Sequence, residues 1–446
     1  MARHMHAASR SSVSADAGRP QQPVNPHMAY RYLATGLAER ERSEPASASR
    51  EAPVARFRHV PALDGVRGLA IVLVMFRHLS LLRMGTRADD PIVDRLVHGV
   101  ESIGWVGVDL FFVLSGFLIT GILLDAKGTA GAFPRFWKRR ALRIFPLYYA
   151  ACAFFFFVLP HIGYFASDPA TATLVHNQAW YWLYGVNILE ALKGGAATPL
   201  NTAHFWSLSV EEQFYIVWPF VVLTLSRRSL WRVVVAMSAV ALLCRVALVM
   251  YVQGGWAGAY VLSVARMDIL AAGAIVALAI RTPGAIERAC RHAGWIGAVS
   301  IVALVVVSWV GAAGFDNRNP YIATIGYSVL AVLGSIILVL VLSSADGRGW
   351  KRPFENETLR MFGKYSYCLY VVHYPFMMVL DVLVPKFHIA PLYGSRLPEW
   401  GVYGVLLFVV SLAVAWVSWR VLEAPMLSLK DRSVVLFGPG KSAARE

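Results

Sequence analysis

The sequence predicts an all-α membrane protein, a helical bundle of about ten transmembrane helices with one interfacial or re-entrant helix. Of the 446 residues, 57% are hydrophobic and only 15% are charged. This composition is too apolar for soluble domains, in which about 25% of the residues are charged. Apolar runs of about 20 residues recur along the chain, and each is long enough to cross a hydrocarbon core of about 30 Å.

Ten such runs define the predicted transmembrane helices. Their approximate bounds are 64–82, 103–124, 144–163, 205–225, 231–251, 260–280, 295–311, 322–342, 365–383 and 401–422. The residues that precede the first run are rich in Ser, Ala, Arg, Pro and Gln. We therefore expect a disordered cytosolic tail over residues 1–55, a transmembrane domain over 56–426 and a short cytosolic tail over 427–446.

The net charge of +15 is explained by the charge bias of membrane proteins and does not indicate a nucleic-acid partner. When the N-terminus is placed in the cytosol, the cytosolic loops contain 17 Lys and Arg residues and the opposite loops contain 7. This asymmetry predicts that both termini lie in the cytosol. The lipid bilayer is the partner that the composition implies.

An aromatic, moderately apolar stretch at 171–190 is not counted as a transmembrane helix. One more crossing would invert every later loop and remove the charge asymmetry. We expect an interfacial or re-entrant helix there, on the outer side of the membrane.

The first predicted helix contains Arg67 and His78, which are eleven residues apart. At 100° and 1.5 Å per residue, the two side chains lie on one face and about 16.5 Å apart along the axis. This arrangement would suit an elongated ligand with an anionic group beside Arg67 and a reacting group beside His78. In the alternative interpretation, Arg67 extends to cytosolic phosphates and His78 to the outer interface.

Asp109, near the start of the second helix, needs a partner inside the bundle. Asp109 either belongs to a structural ion pair or orients a base such as His78 by accepting its second N–H. Arg140 and Arg143 precede the third helix and share a face at i and i+3. They either bind a phosphate at the cytosolic mouth of the bundle or serve only topology and lipid contact.

The segment HFWSLSVEEQFYIVWP begins the fourth helix and contains two adjacent carboxylates. Ser209 and Glu212 have the spacing of a capping box, which places Glu212 at the helix N-terminus. Glu211 forms a stripe with Ser207 and Tyr215, at i, i+4 and i+8, at the depth assigned to His78. Hydroxyl and carboxylate groups there would suit a sugar-like acceptor.

Polar residues also occur in the sixth and ninth helices. Arg266 and Asp268 are two residues apart and point to different sides, so they do not simply neutralise each other. Tyr370 and His373 share one face, and His373 is expected to be a hydrogen-bonded structural residue rather than a second base. The histidines lack metal-ligand spacing in the sequence, and no metal is expected.

Six segments, in order, resemble the acyltransferase 3 family of polytopic membrane enzymes. They are LDGVRGLAIVLVMFRH, WVGVDLFFVLSGFLI, RALR before IFP, HFWSLSVEEQFYIVWP, RMDILAAGA and GKYSYCLYVVHYPF. The resemblance covers residues 57–426. It implies a bacterial inner-membrane enzyme that transfers an acyl group, often acetyl, from cytosolic acyl-coenzyme A to a hydroxyl of an envelope or exported carbohydrate. Acyl-coenzyme A would be a co-substrate, and no permanently bound cofactor is expected.

The resemblance also implies that Arg67 and His78 are essential and that Arg140 and Arg143 matter for activity. His78 would act as general base or as a transient acyl carrier. The other polar helix residues named above are assigned to the acceptor side or to orienting roles.

The implied partners are acyl-coenzyme A and a glycan or glycolipid acceptor. Many relatives carry an extracytoplasmic SGNH-type domain that this sequence lacks, so a separate periplasmic partner is a further expectation. The competing hypothesis is a secondary transporter of a small anionic solute, whose intramembrane charges would line a path. The inverted repeats common in transporters are not visible in the sequence.

Overall fold

The computed structural model describes residues 60–81, 90–310 and 314–432. Ten long helices within these ranges correspond one to one to the ten predicted runs. They are α1 (Pro61–Leu81), α2 (Val106–Ala126), α3 (Ala132–Ala153), α4 (Phe205–Thr224), α5 (Arg227–Tyr251), α6 (Ser263–Ala279), α7 (Ala285–Val310), α8 (Tyr327–Ser343), α9 (Glu357–Leu383) and α10 (Leu397–Ser418). Short helices Ile92–Ser102 and Gly255–Val261 precede α2 and α6.

Eight helical segments of the described chain are long and apolar enough to cross a membrane. The two long helices outside this group are α1 and α4, with 21 and 20 residues. Helix α1 contains three charged side chains, among them Arg67, and α4 contains two, Glu211 and Glu212. The predicted class, an all-α multi-pass membrane protein, is confirmed.

Side-chain contacts give the relative directions of several helices, and α9 and α10 run in opposite directions. In α9 and α10, Tyr365 lies against Trp419, at the end of α10, while Tyr403 near its start bonds the carbonyl of Met377. Helices α1 and α9 run parallel, as do α2 and α4. This is the alternation expected of ten passes, so α1 and α4 traverse the bundle like the more apolar helices.

Glycines allow the helices around α2 to pack closely. A Cβ atom at Gly116 of α2 would collide with the carbonyl oxygen of Leu270 in α6, and one at Gly273 of α6 with that of Val113 in α2. Gly68 brings α1 into similarly close contact with the backbone of α9. A Cβ atom at Gly107 of α2 would likewise collide with the carbonyl oxygen of Ala70 in α1. Helix α1 therefore lies between α2 and α9.

Two buried ion pairs join α2, α5 and α6. Arg266 pairs with Asp109, and Arg245 forms a bidentate pair with Asp268 at 2.8 and 2.7 Å. None of the four side chains is more than 3% exposed. The prediction that Arg266 and Asp268 do not neutralise each other is confirmed. Of the two roles considered for Asp109, the structural ion pair is confirmed, and the orientation of His78 is wrong.

The stretch predicted as one interfacial or re-entrant helix at 171–190 is instead a series of short helices. They are Pro169–His176, Gln178–Trp182 and Val186–Lys193. The chain turns at Tyr184 and Gly194, which have positive φ angles of 52° and 73°, and a right-handed helix cannot continue through such residues. The prediction of a single helix was wrong, and each of the short helices is too short to cross a membrane.

Most residues of the two predicted tails lie outside the described residues. Residues 1–55 lie outside the described residues, as do residues 433–446. The helix Ala424–Arg432 follows α10 after the π-helical turn Trp419–Glu423. The predicted C-terminal tail at 427–446 therefore begins inside a helix.

Candidate active site

Two histidines from α1 and α9 form the polar centre at one end of the bundle, which we call the histidine end. The Nδ1 atom of His78 lies 2.9 Å from the Nε2 atom of His373. The Nδ1 atom of His373 lies 2.8 Å from the carbonyl oxygen of Leu369. His373 is fully buried, whereas His78 is partly accessible.

The carbonyl of Leu369 determines the tautomers of both rings. A carbonyl only accepts hydrogen bonds, so Nδ1 of His373 carries the proton and Nε2 is the acceptor. His78 must then donate from Nδ1, which leaves the Nε2 lone pair of His78 to accept a proton. This arrangement holds a neutral imidazole in the orientation that a general base requires. His373 therefore has the structural, hydrogen-bonded position predicted for it.

Aromatic side chains enclose this pair. The ring of Tyr374 stacks on His78 with a centroid separation of 4.1 Å. The ring centroid of a third histidine, His204, lies 5.6 Å from that of His373. The Nε2 atom of His204 donates a hydrogen bond to the carbonyl of Val371 at 3.3 Å. The stacked tyrosine offers a π-face to any positive charge that develops on His78.

Ser207 and Tyr370 lie beside this histidine group. The Ser207 hydroxyl is 2.5 Å from the Tyr370 hydroxyl, which also donates to the carbonyl of His204 at 3.2 Å. Of the predicted stripe Ser207, Glu211 and Tyr215, only Ser207 belongs to the histidine end.

Arginines gather at the other end of α1, which we call the arginine end. Arg67 bonds Asp64 at 2.9 Å and interacts electrostatically with Arg140. Arg143 interacts electrostatically with both of these arginines. The prediction that Arg140 and Arg143 precede the third helix was wrong, because α3 begins at Ala132 and contains both. The guanidinium of Arg140 lies 4.3 Å from the ring centroid of Tyr215. The structure thus brings the Arg-x-x-Arg pair together with Arg67, a combination suited to a multiply charged phosphate group.

Hydrogen bonds of the Ser115 hydroxyl join α2 to α4 beside this arginine group. Ser115 of α2 donates to Glu211 at 2.7 Å and lies 2.5 Å from the Tyr215 hydroxyl. Glu211 also interacts electrostatically with Arg67 and Arg140. The placement of Glu211 and Tyr215 at the depth of His78 was therefore wrong, because both side chains lie at the arginine end.

The predicted capping box at the start of α4 was also wrong. The helix begins at Phe205, so Ser209 lies inside it and bonds the carbonyl of Phe205 at 3.1 Å. Glu212 is buried at 4% exposure and interacts electrostatically with Arg140. The helix begins five residues earlier than the cap pattern indicates, and its first residues are held by packing of apolar side chains such as Phe205.

The sequence did not single out Ser115, His204 or Tyr374. Ser115 lies in a glycine-containing apolar run, where a serine usually serves helix packing. His204 and Tyr374 adjoin predicted positions in HFWSLS and VVHYPF, but their contacts depend on which helices are neighbours.

Residues 60–420 match the acyltransferase 3 family, described as an acyltransferase domain. The chain belongs to this family of multi-pass membrane proteins, as its sequence segments and helical fold indicate. No solved structure matches the chain.

Two curated relatives show what kind of protein the chain is similar to. It is 25% identical over 390 residues to the peptidoglycan O-acetyltransferase OatA of Listeria monocytogenes, covering 83% of this chain and 56% of the relative. It is 25% identical over 388 residues to the O-acetyltransferase OatA of Staphylococcus aureus, covering 83% and 57%. The chain therefore spans a little more than half the length of these relatives.

Proposed function

We propose that this protein transfers an acyl group, acetyl in the simplest case, from acyl-coenzyme A to a hydroxyl of a cell-envelope carbohydrate. The observation that carries the proposal is the pair of hydrogen bonds that joins the Leu369 carbonyl to His373 and His373 to His78. These bonds leave Nε2 of His78 as a proton acceptor. Membership of the acyltransferase family and the names of the relatives support the same activity.

The proposed step is general base catalysis. The acceptor hydroxyl gives its proton to Nε2 of His78 while its oxygen attacks the thioester carbonyl. The carbon–sulfur bond then breaks, and the coenzyme A thiolate takes the proton back from the imidazolium. The products are the carbohydrate ester and free coenzyme A. His373 accepts a hydrogen bond from His78 throughout, and Tyr374 covers one face of the ring.

The donor would lie along α1. Arg67, Arg140 and Arg143 carry three positive charges at the arginine end and suit the phosphates of coenzyme A. Arg67 and His78 are about 16.5 Å apart along the helix axis, so an extended pantetheine arm would bring the thioester towards His78. The arginine end is then cytosolic, in agreement with the positive charge of its loops.

Mass spectrometry of envelope polysaccharides tests this proposal. Cells that carry the gene should contain carbohydrate with acyl esters that are lost on mild alkaline treatment, and cells without the gene should not. Identical polysaccharides from the two strains, together with gene-dependent transport of a small anion, would overturn the proposal in favour of a transporter.

A further inference from the structure

The proline in α9 leaves one carbonyl of that helix without its helical partner. Helix α9 runs from Glu357 to Leu383 and contains Pro375. In an α-helix each carbonyl accepts from the N–H four residues later, and proline has no N–H. The carbonyl of Val371, a residue only 1% exposed, therefore needs a donor from another part of the chain. A buried carbonyl that lacks a donor is costly.

The side chain of His204 supplies this donor. His204 is the N-cap residue of α4, and its Nε2 atom donates to the Val371 carbonyl at 3.3 Å. The contact is reciprocal, because the Tyr370 hydroxyl donates to the carbonyl of His204 at 3.2 Å. Asn201, three residues before His204, donates from Nδ2 to the carbonyl of Tyr374 at 3.2 Å. Three hydrogen bonds thus join the start of α4 to a little more than one turn of α9.

That turn of α9 contains the two side chains that contact the proposed base. His373 lies 2.9 Å from His78, and the ring of Tyr374 stacks on His78 with a centroid separation of 4.1 Å. The ring centroid of His204 lies 5.6 Å from that of His373 and 5.4 Å from that of Tyr374. The planes cross at 68° and 83°, which is the edge-to-face packing of aromatic rings. His204 therefore holds this turn both through its backbone and through its side chains.

We propose that His204 is a positioning residue of the transfer reaction. Its Nε2–H replaces the backbone N–H that Pro375 lacks and holds His373 and Tyr374 against His78. The inference rests on the proposed function, since His373 and Tyr374 act through His78 in that reaction. Without this donor the Val371 carbonyl would need another partner, and the turn that orients the base would shift. Such a shift slows the chemical step, whereas the phosphates of the donor are assigned to the arginine end.

Two substitutions of His204 separate its hydrogen bond from its packing. His204→Phe keeps an aromatic ring and removes the donor, whereas His204→Gln removes the ring and keeps an amide N–H that can reach the Val371 carbonyl. We expect kcat to fall about 10-fold in His204→Phe and by a smaller factor in His204→Gln. The KM for acyl-coenzyme A should stay unchanged in both variants. A wild-type kcat in His204→Phe, or a lower kcat in His204→Gln than in His204→Phe, would overturn the inference.

The matched control is Ser209→Ala. It removes a buried hydroxyl from the same helix, but this hydroxyl bonds the carbonyl of Phe205 within α4. It should change kcat by less than about 2-fold, because the Phe205 carbonyl keeps its helical N–H partner. A loss of kcat as large as that in His204→Phe would contradict a specific role of the bond to Val371.

Pro375→Ala supplies a second test, since it restores a backbone N–H four residues after Val371. In that background the Val371 carbonyl no longer depends on His204, so His204→Phe should lower kcat by less than about 2-fold. The two kcat values are compared within each background, which removes any effect of Pro375→Ala itself. An equal loss in both backgrounds would contradict the inference.

If His204→Phe does not fold, the double variant with Pro375→Ala still decides. It should fold, because the restored N–H pairs with the Val371 carbonyl, and a double variant that also fails to fold would overturn the inference. Thermal unfolding in detergent makes this comparison without an assay of transfer. Failure of the proposed function is distinguishable: the wild type would then transfer no acyl group, while Pro375→Ala would still offset the loss of Tm in His204→Phe.

Discussion

His78 donates a hydrogen bond from Nδ1 to Nε2 of His373 at 2.9 Å, and His373 is itself held by the carbonyl of Leu369. The bond orients the proposed base and fixes its tautomer. His373 is therefore a positioning residue for His78, in the way that the aspartate positions the histidine of a catalytic triad.

The first prediction concerns this bond. His373→Leu removes the acceptor and should lower kcat about 10- to 100-fold, because a hydrogen bond to a group that becomes charged is worth about 1.5–3 kcal/mol. His373→Gln keeps an oxygen that accepts from His78 and should retain more activity. The KM for acyl-coenzyme A should not change in either variant. Equal losses of kcat in His373→Leu and His373→Gln would show that His373 only fills space.

The second prediction concerns the donor. Arg140→Ala or Arg143→Ala should raise the KM for acyl-coenzyme A about 10-fold, because each removes a charged contact to phosphate. The difference in this KM between variant and wild type should become smaller at high ionic strength. Arg139→Ala is the matched control, since Arg139 is an exposed neighbour on the same helix. Unchanged donor affinity in both variants would leave these arginines with a topological role only.

The third prediction separates the two ends of the bundle. Glu211 lies with Ser115, Arg67 and Arg140, so Glu211→Gln should alter the KM for acyl-coenzyme A about 10-fold and leave the acceptor KM unchanged. Ser115→Ala should have a weaker effect of the same kind. An effect on the acceptor KM alone would return Glu211 to the acceptor side.

The fourth prediction concerns stability. Asp109→Asn leaves the buried charge of Arg266 without its partner and should destabilise the protein by about 3–5 kcal/mol. Thermal unfolding in detergent measures this loss. The control is Asp125→Asn, because the pair of Asp125 with Arg281 is 16–20% exposed and better solvated. Equal decreases in Tm would contradict the assignment of the Asp109 pair to the core.

The sequence predicted the helices well and their contacts poorly, for a physical reason. Apolar runs and helical periodicity are local, so they located the ten helices and put Arg67 and His78 on one face. His78 and His373 are 295 residues apart in the chain, and no local pattern indicates that α1 and α9 are neighbours. The need of a buried Asp109 for a partner was predictable, whereas the identity of that partner, Arg266, required the packed structure.

The errors came from local signals that tertiary packing overrides. Ser209 and Glu212 have capping spacing, but α4 extends N-terminally to Phe205 and places both residues inside the helix. The aromatic stretch at 171–190 has helical composition, yet it is interrupted by the turn at Tyr184. In each case the sequence contains a true local preference, and contacts with other helices decide where the helix begins and ends.

The most direct test of the central claim is acyl transfer by His78→Ala in proteoliposomes. Labelled acetyl-coenzyme A and an envelope glycan fraction would be supplied, and labelled glycan would be measured per unit of inserted protein. Removing an imidazole makes membrane insertion easier, so the variant should insert normally. We expect transfer to fall by at least about 100-fold, the usual contribution of a general base. Transfer at the wild-type rate would contradict the assignment of His78 as the base.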